Sequence, residues 1–71
     1  MTDLQNLFAL AEISEGKMQI SENEKYRYRI YIEGKPTHDF YPLSGKVNRL
    51  GTKEYFIPLN GVIDFFKELL S

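Results

Sequence analysis

The stretch KYRYRIYIE, residues 25–33, constrains this chain more than any other part of it. Tyr26, Tyr28, Ile30 and Ile32 alternate with Arg27, Arg29, Tyr31 and Glu33. That two-residue period sorts side chains onto the two faces of a β-strand, and the aromatic and β-branched residues favour one. One face is apolar and the other is charged and aromatic, so a core is expected on one side and water on the other. The fold must therefore supply neighbouring strands and a layer to cover the apolar face.

The neighbouring strands are legible downstream. Gly34–Pro36 reads as a turn, and THDFYP as a second main strand ending at Pro42, which has no N–H to give to a ladder. Leu43–Gly45 turns the chain back, KVNRL returns as a third main strand, and Gly51–Lys53 turns again. KMQIS reads as a short strand ahead of the main one, followed by a polar turn at Glu22–Glu24. EYFIPL fits either a short edge strand or an extended approach to the last element.

The covering layer comes from the two ends. In TDLQNLFALAE, Thr2 and Gln5 have capping-box spacing, and Asp3 suits the positive end of a helix dipole. Leu4, Leu7, Phe8 and Ala11 form one stripe; Ile13 falls off it, which ends the helix near Glu12. LNGVIDFFKELL reads as a second helix with Asn60 as N-cap and a stripe of Val62, Phe66 and Leu69, widened by Ile63, Phe65 and Leu70. The expected fold is α+β: helix, antiparallel meander of three to four strands, helix, with both helices on one sheet face, in a single domain over residues 1–71.

Size and composition narrow the chemistry. A 71-residue domain buries only about 60% of its unfolded surface, and with no cysteine it has no disulfide to lean on. No apolar run approaches the roughly 18 residues of a membrane span, and the start MTDLQNLF has no basic leader. A cytoplasmic protein with no membrane partner is the expectation. His38 is the only histidine, too few with no cysteine for a tetrahedral zinc set. His38 and Asp39 adjoin in a strand and should diverge, so they cannot form the dyad that activates a nucleophile. His38 reads as a surface or edge residue. No catalytic residue, metal ligand or cofactor is expected, and the chain does not read as an enzyme.

Binding remains. Seven basic residues lie between Lys25 and Lys53 (Lys25, Arg27, Arg29, Lys35, Lys46, Arg49 and Lys53) against only Glu33 and Asp39, whereas the flanks carry Lys17 and Lys67 against eight acids. Such a bipolar chain can offer a basic surface to an anionic partner. Arg27, Arg29 and Tyr31 share the wet face of the main strand; Tyr41, Lys46 and Arg49 extend it if the strand register allows, and with Lys53 they are candidates for phosphate contact and base stacking. The same face suits a protein partner, because tyrosine and arginine are enriched at interface hot spots. The wide apolar arc of the last helix makes Phe65 and Leu70 candidates for self-association as a homodimer.

Two resemblances bear on this. The order helix, strands, helix resembles the layout of the double-stranded-RNA-binding domain. That family's basic cluster at the start of the last helix has no counterpart in NGVIDFFK, so none of its residues is carried over. DFYPLSGKV followed by LNGVIDFFKEL is similar to a pattern in small phage and prophage proteins, an Asp-aromatic-aromatic-Pro-x-Ser/Thr-Gly-Lys hairpin ahead of a helix, over about Arg27–Leu70. That resemblance implies an accessory protein that contacts nucleic acid, or one that inhibits a host protein, in the host cytoplasm.

Overall fold

The computed structural model describes residues 2–24 and 26–71, so Lys25, one of the seven central basic residues, lies outside the described residues. The elements are α1 (Asp3–Ile13), β1 (Met18–Glu24), β2 (Arg27–Ile32), β3 (Lys35–Tyr41), β4 (Lys46–Arg49), β5 (Tyr55–Phe56) and α2 (Val62–Leu70). The five strands form one open antiparallel sheet in the order of the chain, β1-β2-β3-β4-β5. This is the α+β meander that the strand period and the amphipathic ends lead to, with β5 as a fifth strand.

One core joins every layer. Leu7 and Leu10 of α1 and Val62 and Phe66 of α2 pack on Met18, Ile30, Phe40 and Val47 of the sheet. Both helices therefore cover the same face and leave the other open. Burying a residue such as Phe40 or Phe66 fully is worth about 1.5–3 kcal/mol, and in so small a domain a handful of such side chains decides whether it folds.

Local chemistry sets the turns. Thr2 Oγ1 accepts from the Gln5 N–H at 3.1 Å and Gln5 Oε1 accepts from the Thr2 N–H at 2.9 Å, completing the capping box. Past α1, the Ser14 hydroxyl donates to the Ala11 carbonyl at 2.7 Å and accepts from the Met18 N–H at 3.0 Å, stitching helix end to strand start. The β2–β3 hairpin turns on Glu33 and Gly34, both at positive φ (52° and 81°), the backbone of a two-residue type I′ turn.

Several sequence expectations are corrected. Glu22–Glu24 is not a turn but the end of β1, where a bulge leaves Asn23 as the extra residue between the Glu22–Tyr28 and Glu24–Arg27 pairs. Lys35 and Pro36 belong to β3 rather than a turn. A second bulge lies beside Pro36, so the ladder yields where proline cannot donate. Leu10 replaces Phe8 on the buried stripe of α1; Phe8 sits at the margin, its ring edge-on to Tyr28 at 6.2 Å. The N-cap of α2 is Gly61 at φ 94°, not Asn60, since that left-handed backbone suits glycine.

Candidate interaction surface

Register assigns every central side chain to a face. Arg29 pairs with Asp39 and Asp39 with Asn48, which pairs with Tyr55; Tyr31 pairs with Gln19, and Tyr41 with Lys46. Directly opposed residues share a face, so Arg27, Arg29, Tyr31, Asp39, Tyr41, Lys46, Asn48 and Tyr55 all lie on the open side. His38, Phe40 and Val47 point to the helices.

Arg49 is the exception among the candidate residues. It opposes His38 across β3 and β4, and His38 packs edge-on against Phe65 and Phe66 of α2 at 5.4 and 5.5 Å. Arg49 therefore stands on the helix-bearing side, 4.0 Å from Glu54. Lys53 is exposed in the β4–β5 turn, off the strands. Alternation within KVNR separates Lys46 from Arg49, because an odd offset along a strand changes face.

The arginines of the open face are already engaged. Asp39 is 2% exposed although no second layer covers it. Arg29 Nε donates to Asp39 Oδ1 at 3.0 Å and Arg29 Nη2 to Oδ2 at 3.3 Å, a two-point clamp. Arg27 Nε lies 3.9 Å from the same carboxylate, and Arg27 Nη2 donates to Glu24 Oε1 at 3.0 Å. With its oxygen towards the guanidinium groups, Asn23 accepts from Arg27 Nη2 at 3.0 Å and Arg29 Nη2 at 3.3 Å. The bulge in β1 thus supplies a ligand to the arginine pair. The bond to Asp39 raises the Arg29 pKa above its ordinary value.

Tyrosines complete this layer. The rings of Tyr41 and Tyr55 meet at 5.9 Å. Burial is the main force raising the Tyr41 hydroxyl's pKa, with nearby Arg27 opposing and the neighbouring Tyr55 acting with burial. Tyr31 is half-buried, while Tyr55 is 55% exposed. Asn48 holds the margin: its Nδ2 donates to the carbonyls of Thr52 at 3.2 Å and Glu54 at 2.8 Å, pinning the β4–β5 turn.

On the covered face His38 is buried, not at a surface or edge. Its Nδ1 lies 2.9 Å from Thr37 Oγ1, and its pKa is lowered first by burial and then by Arg49, with Asp39 opposing. His38 and Asp39 occupy opposite faces. Phe65 is packed among Phe56, Phe66 and His38, and Leu70 also packs against the core, so neither is the exposed apolar group expected; Leu69 is the more exposed residue of that helix. Phe65 is drawn inward by Phe56 and His38 of the sheet, and α2 also meets α1, which widens its buried arc.

Asp39, Asn23 and Asn48 were not singled out in the sequence. Strand pairing with Arg29 reveals Asp39, the bulge in β1 reveals Asn23, and pairing with Asp39 reveals Asn48. Among the described residues, no three of His, Cys, Asp or Glu gather as a metal site, and no helix is long and apolar enough to cross a membrane. No family model matches the chain, and no curated protein or solved structure matches it.

Proposed function

We propose that this chain is a non-enzymatic binding module whose open sheet face docks a partner protein. The supporting observation is that the arginines of that face are neutralised within it, by Asp39 and Glu24, while tyrosines stand at its surface. Phosphate recognition needs cations with free donors, and the sequence set is thinned by Arg49 on the other side and Lys53 in a turn. Tyrosines and half-buried arginines held in fixed geometry are the residue types that carry protein interfaces, and a surface ordered in advance loses less entropy on docking. The phage-like hairpin pattern adds a context: a small accessory protein acting on a host protein in the host cytoplasm, as an inhibitor or adaptor.

Affinity capture from a host lysate, with and without nuclease, tests the reading. Capture that survives nuclease and is lost in Tyr31→Ala with Tyr41→Ala is the expected result. Capture abolished by nuclease, with salt-sensitive binding to a mixed DNA and RNA pool, would transfer the face to nucleic acid instead.

A further inference from the structure

The open face is not uniform. Its β1–β3 half is the arginine–carboxylate network, in which Arg27 Nε is buried without a hydrogen-bond partner among the described residues. Its β4–β5 end is different: Tyr55 is 55% and Ile57 65% exposed, and Leu43, at the adjoining β3–β4 loop, is 79% exposed. Phe56 packs against the core and Pro58 is buried, so alternation turns Tyr55 and Ile57 outward together. Tyr41 abuts Tyr55, and Lys46, paired with Tyr41, stands exposed beside them.

Lys46 is the charged side chain that shares this face with the apolar end. Among the described residues, Lys46 has no hydrogen bond or ion pair through its ammonium group. Asp39 is sealed under the arginines, and Glu54, just ahead of β5, lies 4.0 Å from Arg49 of the other side. An apolar patch edged by an uncompensated cation selects against basic ligands and favours acidic ones.

Resting on the reading of the open face as a protein-docking surface, we infer that its β4–β5 end takes an acidic stretch of the partner with an apolar or aromatic side chain as anchor. The anchor sits on Tyr41, Tyr55 and Ile57, and a neighbouring carboxylate meets Lys46. Backbone pairing at β5 contributes little, since that strand is two residues long and Pro58 follows.

The test pans a display library of random short linear peptides against the whole chain. It then measures the recovered peptides on Lys46→Glu and on Tyr55→Ser with Ile57→Ser. All three positions are exposed, and thermal melts confirm that the variants fold. The expected peptides carry a Phe, Trp, Leu or Ile flanked by Asp or Glu, and weaken about tenfold or more on each variant. Basic or neutral peptides, no peptides, or acidic peptides that bind the variants unchanged would overturn the inference. Nuclease-resistant capture from lysate that is lost in the Tyr31 and Tyr41 variant would still stand in that case, separating the two failures. Concentration-dependent dimerisation abolished by Tyr55→Ser with Ile57→Ser would also overturn it, by assigning the patch to a second copy.

Discussion

The two faces of the sheet bury adjacent residues of β3 by opposite means. On the covered face His38 lies against Phe65 and Phe66, and the apolar surroundings depress its affinity for a proton. On the open face Asp39 is equally shut from water, yet beneath arginines instead of a helix. A helix layer excludes charge; a layer of guanidinium groups requires it. The open face is thus a polar structure paired largely within itself, with Arg27 Nε a buried donor that has no hydrogen-bond partner among the described residues, and it presents Tyr55 and Lys46 outward.

The comparison can be broken first at its apolar side. Phe40→Ala removes a fully buried ring between both helices and the sheet, a loss of about 3–5 kcal/mol. In a domain of this size that consumes most of the folding free energy, so chemical denaturation should show no native baseline. On the open face, Asp39→Ala should cost about 2–4 kcal/mol by leaving two arginines facing one another, read as a lower urea midpoint. A change below about 0.5 kcal/mol would mean that the network orders the face without stabilising it.

Protonation separates the faces further. The folded-state pKa of His38 lies below its ordinary 6.5. The unfolded chain therefore binds the proton more readily, and stability is fully present above pH 6.5 and declines as pH falls from there towards the folded-state value. Denaturation midpoints between pH 7.5 and 5 should show this decline in the wild-type chain and lose it in His38→Phe. An unchanged decline in that variant would move its origin elsewhere. The smallest effect is in the hairpin that feeds both faces: Glu33→Asn, at φ 52° in a type I′ turn, should stabilise by about 0.5 kcal/mol, a small rise in melting temperature.

The sequence makes half of this comparison legible. The alternation of Tyr28, Ile30 and Ile32 with Arg27, Arg29 and Tyr31 assigns both faces of β2 correctly, and the capping box marks the start of α1. Periodicity is local, so a single segment is enough to reveal it. The closure of the open face is not local. Arg29 meets Asp39 ten positions away, and Arg27 and Arg29 meet Asn23 through a bulge that no pattern announces. Summed charge therefore overstates how basic the face is. Alternation within KVNR already puts Lys46 and Arg49 on opposite faces; which of the two takes the open side depends on the register of β4 against β3, which is not local.

Hydrogen exchange of this chain with and without a partner captured from nuclease-treated lysate tests the central claim most directly. New protection is predicted at residues 27–31, 39–41 and 46–48 and around Tyr55, across the open face. Protection confined to α1 and α2, with the open face unchanged, would contradict the account.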